Sequence, residues 1–206
     1  MKILVSLLIG YMMGSVSPAA IISHLKGTNL RQEGTGNLGA TNTMIVMGKK
    51  LGMIVMLFDI CKAYFAAKIA QKIFADFVLA GLFAALGTVI GHIYSVFLGF
   101  HGGKGVAALG GMMLYYKPSF FFLLIFLAIA LMLLTNLGVV GPVSAAVLFP
   151  ILVFFDSGSI PMTALCAAAG LLIILSHREN IRKIRRGQEI LVNSFLQRVL
   201  LSNFHS

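Results

Sequence analysis

The sequence predicts an all-α membrane protein with about seven transmembrane helices, and two observations lead to this class. The chain has 206 residues, of which 59% are hydrophobic and 11% are charged, whereas soluble domains have about 25% charged residues. Several apolar runs also approach the roughly 20 residues that a helix needs to cross a bilayer. The net charge of +10 is better explained by membrane topology than by nucleic acid binding, because no basic helical or sheet module and no tryptophan are present.

Seven apolar runs follow one another along the chain: residues 3–23, 51–74, 77–99, 106–116, 119–135, 139–155 and 160–176. A secretory signal at the first run is disfavoured, because more hydrophobic runs follow it. Residues 106–116 are too few to cross upright, so they form either a short tilted helix or an extension of the preceding turn. Residues 24–50 are rich in Gly, Asn and Thr, which predicts an ordered loop with turns and no helix.

The connections between the seven runs divide the Lys and Arg side chains unequally. With the amino terminus outside, one side collects Lys26, Arg31, Lys49, Lys50, Lys104, Arg178, Arg182, Lys183, Arg185, Arg186 and Arg198. The other side has Lys2, Lys68, Lys72 and Lys117. Positive residues accumulate in the cytoplasm, so the first side and the carboxyl terminus are predicted to be cytoplasmic. Residues 1–206 then form one domain whose motif loops, at about 24–50, 99–105 and 176–189, face one compartment.

One lysine is surrounded by glycines in the segment Gly102-Gly103-Lys104-Gly105. Glycines let a backbone approach a ligand closely, with N–H groups free to point at an anion, which predicts a phosphate site. The segment is not a nucleotide-binding P-loop, because Leu98 replaces the first glycine and no Ser or Thr follows the lysine. The alternative is a helix cap whose lysine reaches the membrane interface.

Two further polar stretches lie on the same predicted side. Residues 34–42 offer backbone and amide groups to a polar ligand, or they form a well-capped re-entrant turn. Residues 177–182 combine a histidine, an amide and two guanidinium groups, which would bind an anion or would only determine topology. Because the three stretches share one side, we predict that they converge on a phosphate site.

Some polar and sulfur side chains lie inside the apolar runs. Asp59 and Lys62 are three residues apart and share a helix face, so we favour a structural ion pair over a catalytic role. Cys61 and Cys166 have no partner at metal-ligand spacing, which predicts two core residues, no disulfide and no metal site.

These motifs together resemble those of the bacterial acyl-phosphate:glycerol-3-phosphate acyltransferases, small integral membrane enzymes known as the PlsY family. The resemblance covers nearly the whole chain. The motifs are Gly14-Ser15-Val16-Ser17-Pro18, residues 34–42, Asp59-x-x-Lys62, Gly91-His92, residues 102–107, His177-Arg178-x-Asn180-Ile181 and Gly187-x-Glu189.

The resemblance implies direct transfer of a fatty acyl group from acyl phosphate to the 1-hydroxyl of glycerol 3-phosphate, with no metal or cofactor. The product would be lysophosphatidic acid, used in phospholipid biosynthesis. The resemblance also implies a multi-pass protein of the inner (plasma) membrane, with its active site facing the cytoplasm and the acyl chain between helices or in a lipid-facing groove. A soluble enzyme that produces acyl phosphate is an expected partner.

The resemblance further implies roles for single residues. Lys104 would bind and neutralise phosphate, and His177 and Asn180 would position glycerol 3-phosphate. Gly36, Asn37 and Asn42 would shape the acyl-phosphate site. The expected catalytic residues are Lys104, His177, Asn180 and Thr35, and the expected substrate-binding residues are Gly36, Asn37, Asn42, Gly102, Gly103, Gly105 and Arg178.

The chain departs from the family pattern at several positions. Ile45 replaces an arginine that would contact phosphate with two N–H groups, which lysine cannot fully reproduce; Lys49 and Lys50 are candidates to compensate. A catalytically weak paralogue that binds or transports a phosphate metabolite is therefore the alternative function. Other departures are Thr35 for serine, Asn29 for aspartate, and Val139 and Pro142 for serines.

A different acyltransferase mechanism is disfavoured by the sequence. The other membrane glycerol-phosphate acyltransferases have a His-x-x-x-x-Asp motif, in which a carboxylate orients a histidine base. The residues five positions after His24, His92, His101 and His177 are Asn29, Phe97, Val106 and Arg182. An acyl-thioester donor used in that way is therefore not expected.

Overall fold

The protein, seen in a computed structural model, is described for residues 1–187 and 191–194. This part of the chain is all-helical, as the sequence predicts. Its helices are α1 (Lys2–Ser15), α2 (Pro18–Leu25), α3 (Ala40–Met47), α4 (Lys49–Ile73), α5 (Ala80–Ile93), a 3-10 helix (Val96–Leu98), α6 (Val106–Tyr116), α7 (Pro118–Thr135), α8 (Val140–Ser157), α9 (Ile160–Ser176) and α10 (Arg178–Arg185). The motif residue Glu189 and the basic residue Arg198 lie outside the described residues.

The first apolar run is broken into α1 and α2. Pro18 begins α2, where its missing N–H would have had no helical partner, and Ser17 Oγ accepts a hydrogen bond from the Ala20 N–H at 3.2 Å. Such a cap satisfies one of the unpaired N–H groups at the start of a helix. The break also leaves the carbonyl oxygens of Gly14 and Val16 without helical partners, so they can accept hydrogen bonds from another element.

Glycines allow α1 and α5 to pack closely. A Cβ added at Gly10 would lie 1.8 Å from the Ala84 carbonyl oxygen, and one added at Gly91 would lie 2.2 Å from the Tyr11 carbonyl oxygen. Neither position can accept a side chain without movement of the backbone. Small residues of this kind are typical where helices meet within a membrane.

The main core lies among α5, α6, α8 and α9, and its fully buried side chains include Leu109, Phe149 and Ile173. In contrast, α7 buries only Phe121 and Leu124, although it is apolar all round. A helix that is apolar on every face and yet largely exposed is typical of a membrane span at the edge of a bundle.

Helix length and composition support a multi-pass membrane protein but fewer spans than the seven predicted. Among the described residues, four segments are long and apolar enough to cross a membrane: α1 with α2, α5 with the 3-10 helix, α7 and α8. The number is five if α9 and α10, which are bent by 50°, count as one span. α4 has 25 residues but also charged side chains, and α6 has only 11 residues.

Two predicted loops contain helices. The prediction of no helix in residues 24–50 is wrong, because α3 forms there. β-branched residues weaken α3 in isolation, but α3 packs on α4, where Gly52 leaves room for Met44. The Gly39 carbonyl oxygen accepts hydrogen bonds from the N–H and Oγ1 of Thr43, each at 3.0 Å, at the start of α3. The motif loop at about 176–189 likewise contains α10.

One of the two predicted core cysteines faces outward. Cys166 is buried, as predicted, whereas Cys61 is exposed. The two neighbours of Cys61 along the helix surface, Leu57 and Phe65, are exposed as well. The apolar run predicts the helix but does not show which of its faces lies toward lipid, and this is why the prediction for Cys61 is wrong.

Candidate active site

Asn42 organises the loop formed by residues 34–42 from its interior. Its side chain is fully buried. Nδ2 donates hydrogen bonds to the carbonyl oxygens of Leu30 at 2.8 Å and Glu33 at 3.1 Å, and Oδ1 accepts one from the Thr35 N–H at 2.6 Å. Both donor hydrogens of the amide are therefore used within the protein. Asn42 therefore supports the loop from behind, and its contact with substrate, which the family resemblance implies, stays a prediction.

The glycine-lysine turn, residues 102–105, folds back against the end of α5. The Gly102 N–H donates to the Ile93 carbonyl oxygen at 2.8 Å, and the Gly103 N–H donates to the His92 carbonyl oxygen at 3.0 Å. The prediction that the glycine N–H groups are free for an anion is wrong for these two residues. The absence of a side chain at both glycines lets the turn pack closely against α5, and their contact with substrate stays a prediction.

Gly103 is where the turn meets the loop of residues 34–42. A Cβ added at Gly103 would lie 2.4 Å from His92 Nε2 and 2.7 Å from the Leu38 carbonyl oxygen. Gly105 has a φ of +80°, a left-handed conformation that glycine adopts at little cost, and α6 begins after it. The turn and the loop are thus in direct contact, as the predicted convergence of the motifs requires.

Lys104 connects the turn to the last two helices. Ser176 Oγ donates a hydrogen bond to the Lys104 carbonyl oxygen at 2.9 Å, and Lys104 Nζ donates one to Asn180 Oδ1. Both Lys104 and Asn180 are half-buried. An ammonium group and an amide are therefore held next to each other near the protein surface, where one anion can contact both.

His177 lies directly beyond α9 and is 5% exposed. Its Nδ1 lies 2.8 Å from the Ile173 carbonyl oxygen. Because a carbonyl can only accept, Nδ1 holds the ring proton and Nε2 is left as an acceptor. Burial, assisted by the nearby charge of Lys104, lowers the pKa of His177 to about 4, so the imidazole is neutral at physiological pH. We call Lys104, His177 and Asn180 the lysine cluster.

Other expected site residues lie at the surface. Thr35, Gly36 and Arg178 are exposed, and Asn37 is half-buried. The Arg178 side chain makes no hydrogen bond or ion pair with any residue that the structure describes. Among the same residues, no group of three His, Cys, Asp or Glu side chains is placed to hold a metal ion.

Asp59 and Lys62 form the buried ion pair that the sequence predicts. Lys62 Nζ lies 2.7 Å from Asp59 Oδ1, and both side chains are almost completely buried. Lys62 Nζ also donates to the carbonyl oxygens of Gly14 at 2.9 Å and Val16 at 2.8 Å. His92 Nδ1 lies 3.1 Å from the same nitrogen. The pair therefore joins α4 to α5 and to the break between α1 and α2.

An apolar groove of about 480 Å³ lies between α8 and α10. Ile181, which lines the groove, directly follows Asn180 along α10. Val139, where family members often have serine, adds to its apolar surface. The lining residues include Val139, Val140, Val143, Val147, Ile181 and Ile184.

Three residues that hold this region together were not assigned a role from the sequence. Arg31 donates a hydrogen bond to the His101 carbonyl oxygen, Ser176 binds the Lys104 carbonyl oxygen, and His92 contacts Gly103. Arg31 and Ser176 bind the backbone of a segment about 70 residues away, whereas His92 contacts the turn that follows its own helix. Only the position of His92 inside a glycine-rich motif gave any signal of its importance.

Comparison with known proteins identifies the family. A sequence profile described as glycerol-3-phosphate acyltransferase matches residues 4–187. The glycerol-3-phosphate acyltransferase of Aquifex aeolicus is 34% identical over 189 residues, covering 92% of this chain and 98% of the relative.

Two solved structures of PlsY (YgiH), an integral membrane glycerol 3-phosphate acyltransferase, share the fold. The glycerol 3-phosphate form has a TM-score of 0.86 and 32% identity, and the match covers 93% of this chain and 96% of that one. The lysophosphatidic acid form has a TM-score of 0.86 and 31% identity, with 98% and 100% covered. The residues matched by the profile, 4–187, include the loop, the turn and the lysine cluster. This chain therefore belongs to the glycerol-3-phosphate acyltransferase family.

Proposed function

We propose that this acyltransferase transfers a fatty acyl group from acyl phosphate to the 1-hydroxyl of glycerol 3-phosphate. The hydroxyl oxygen attacks the acyl carbon, and the bond between that carbon and the phosphate oxygen breaks. Lysophosphatidic acid and inorganic phosphate are released, and the hydroxyl proton ends on the phosphate. Both substrates carry a phosphate group, so the site must stabilise anions.

The lysine cluster is the observation that supports this proposal. Lys104 supplies a positive charge for a phosphate, and Asn180 supplies an amide next to it. His177 is neutral, and its Nε2 is an acceptor suited to the hydrogen of the glycerol hydroxyl. A cation, an amide and a neutral base within one cluster match the phosphate and hydroxyl groups of glycerol 3-phosphate.

The acyl phosphate would lie between the lysine cluster and the loop of residues 34–42. Thr35, Gly36 and Asn37 offer it a hydroxyl, backbone groups and an amide, while Asn42 keeps the loop in shape from behind. The groove between α8 and α10 would take the acyl chain, because its lining is apolar and is formed in part by Ile181, the residue after Asn180 in α10. Burial of methylene groups there contributes about 0.8 kcal/mol each.

We also propose seven crossings, with the amino terminus outside and the site in the cytoplasm. Ion pairs join helix ends on one side of the bundle, and the lysine cluster joins helix ends on the other. The 25 residues of α4 span about 37 Å, and its buried charges are neutralised. The short α6 suffices because the turn before it folds back to the level of His92. The ion pairs are Lys2 with Asp76 and Lys117 with Asp156.

With this topology, we propose that the protein lies in the inner (plasma) membrane. Arg178, Arg182 and Lys183 are exposed on α10, beside the lysine cluster. We propose that a soluble enzyme producing acyl phosphate delivers its product at this basic surface, because a positively charged surface raises the local concentration of an anionic substrate.

Product formation by the purified protein tests the proposed function. Protein in lipid bilayers would receive acyl phosphate and glycerol 3-phosphate, and lysophosphatidic acid release would be followed by mass spectrometry. We expect product only when both substrates are present, and less of it from Lys104→Ala. Lys68→Met is a matched control, because Lys68 is exposed on α4 and its ammonium group lies over the rings of Tyr64 and Tyr115.

The alternative function gives a different result in the same assay. A catalytically weak paralogue would bind glycerol 3-phosphate in calorimetry but release no more lysophosphatidic acid than Lys104→Ala does. The replacement of the family arginine by Ile45 is the observation that favours this alternative. Product release at the Lys104→Ala level would therefore refute the proposed function.

A further inference from the structure

We infer that Asp59, Lys62 and His92 form a positioning triad that sets the geometry of the glycine-lysine turn and, through the turn, of Lys104. This inference rests on the proposed function, because it concerns how the phosphate-binding lysine is held. The three residues are between 2% and 8% exposed, so they do not touch substrate themselves. Their effect must pass through the backbone that they contact.

The ammonium group of Lys62 lies in the protein interior, where several groups surround it. An ammonium group has three donor hydrogens, and Lys62 Nζ has four partners within 3.1 Å: Asp59 Oδ1, His92 Nδ1 and the carbonyl oxygens of Gly14 and Val16. The carbonyl oxygens are available only because the helix is broken between α1 and α2. A buried charge with this many partners holds its surroundings in one arrangement.

His92 connects the buried Asp59–Lys62 ion pair to the glycine-lysine turn. One ring nitrogen, Nδ1, lies 3.1 Å from Lys62 Nζ and 3.4 Å from Asp59 Oδ1. The partners of one ring nitrogen set the orientation of the whole imidazole. The other nitrogen, Nε2, lies against Gly103, where an added Cβ would be only 2.4 Å away, and the His92 carbonyl oxygen accepts the Gly103 N–H at 3.0 Å.

Because Lys104 directly follows Gly103, a change in the orientation of the His92 ring would shift the backbone of Lys104. Misplacement by about 1 Å of a group that binds the reacting substrate costs up to about 100-fold in rate. The triad thereby explains why charged residues are buried in α4, at a cost in desolvation, next to a helix break that exposes two carbonyl oxygens.

The test is a double-mutant cycle between His92→Asn and Lys104→Ala in the full-length protein in lipid. Asparagine keeps an amide near Lys62 but removes the ring edge beside Gly103. We expect His92→Asn to lower kcat/KM for glycerol 3-phosphate by about 10- to 100-fold, mainly through KM. In the Lys104→Ala background the same change should have almost no further effect, because it acts through Lys104.

A second variant, Asp59→Asn combined with Lys62→Met, removes both charges together and avoids leaving one buried charge unpaired. We expect the same loss and the same dependence on Lys104. Lys68→Met on the exposed face of α4 is the control, with kinetics and melting temperature unchanged. Melting temperature and gel-filtration profile of every variant report folding separately from activity.

Three results would overturn the inference: unchanged kinetics in folded triad variants, losses that add fully to that of Lys104→Ala, or loss of folding in both triad variants. Calorimetric binding of glycerol 3-phosphate, measured for the same variants, separates this inference from the proposed function. If the wild-type protein binds glycerol 3-phosphate but forms no product, the proposed reaction fails while the binding cycle still decides the role of the triad. Absence of binding by the wild-type protein contradicts both.

Discussion

In the proposed site, phosphate recognition would depend on Lys104, because Ile45 stands where the family pattern implies an arginine. Ile45 is half-buried on α3, which begins at the end of the loop of residues 34–42. A lysine provides a charge but not the paired N–H groups with which an arginine contacts two phosphate oxygens at once. At the scale of single residues, we therefore expect the proposed site to orient the phosphate less precisely than the family pattern implies.

Restoring the arginine should strengthen substrate binding. We expect Ile45→Arg to lower KM for glycerol 3-phosphate several-fold, since a new charge-assisted hydrogen bond contributes about 1.5–3 kcal/mol before the cost of ordering the side chain. Steady-state kinetics would measure the change. Gln32→Arg adds the same charge at an exposed position and should leave KM unaltered. An unchanged KM in Ile45→Arg would show that another residue already fills the role.

The low pKa of His177 has consequences for both activity and stability. A pKa of about 4 keeps the imidazole neutral from about pH 5 upward, so its titration should not affect kcat/KM between pH 6 and 8. In the unfolded chain the pKa is about 6.5. The unfolded state therefore binds a proton first, and stability is lost as the pH falls from about 6.5 toward 4.

Melting curves across this pH range test the assignment. The wild-type protein should lose melting temperature between about pH 6.5 and 4 more steeply than His177→Gln, in which the amide does not titrate. Equal pH dependence in the two proteins would mean that His177 is not held neutral by the fold.

At the scale of helices, the apolar runs predict where helices lie along the chain, but they do not show what each helix face contacts. The apolar runs predict α5, α7, α8 and α9 within a few residues. α3 was missed because its helical state depends on packing against α4, where Gly52 accommodates Met44. The outward position of Cys61 was missed for the same reason, since an apolar residue fits either lipid or core.

The packing of α1 on α5 gives a prediction about stability. Gly10→Ala would place a methyl group 1.8 Å from the Ala84 carbonyl oxygen, so the helices must separate. We expect a loss of about 1–3 kcal/mol, as for other overpacked positions, seen as a lower melting temperature. A Cβ added at Gly110 in α6 would meet side-chain atoms of other helices, the nearest being Phe121 Cε2 at 3.3 Å and Ile60 Cγ1 at 3.8 Å, so Gly110→Ala should be neutral or stabilising. Equal melting temperatures for the two variants would contradict the close contact between α1 and α5.

At the scale of the whole molecule, the motifs that are far apart in sequence meet at one end of the helix bundle. The sequence predicts this convergence, because alternating crossings bring residues 34–42, 102–105 and 177–180 to one side. The contacts within the site were not predictable to the same degree. Asn42 and the N–H groups of Gly102 and Gly103 bind backbone atoms of other segments, a role that depends on the tertiary arrangement and not on local pattern.

Cysteine labelling in intact cells tests the proposed topology. In a background with Cys61→Ala and Cys166→Ala, single cysteines would be placed at the exposed positions Asp76 and Gln32. A membrane-impermeant maleimide should label Asp76→Cys from outside, whereas Gln32→Cys should react only after the membrane is opened. Labelling of both from outside, or the reverse pattern, would contradict seven crossings with an external amino terminus.

The central claim is that Lys104, held beside His177 and Asn180, binds the phosphate of glycerol 3-phosphate during acyl transfer. Its most direct test is the rate of lysophosphatidic acid formation as a function of glycerol 3-phosphate concentration, for the wild-type protein and for Lys104→Met. We expect the loss of this charge-assisted contact, about 1.5–3 kcal/mol, to lower kcat/KM by about 10- to 100-fold, with most of the change in KM. A Lys104→Met protein that folds normally and keeps the wild-type KM would contradict the claim.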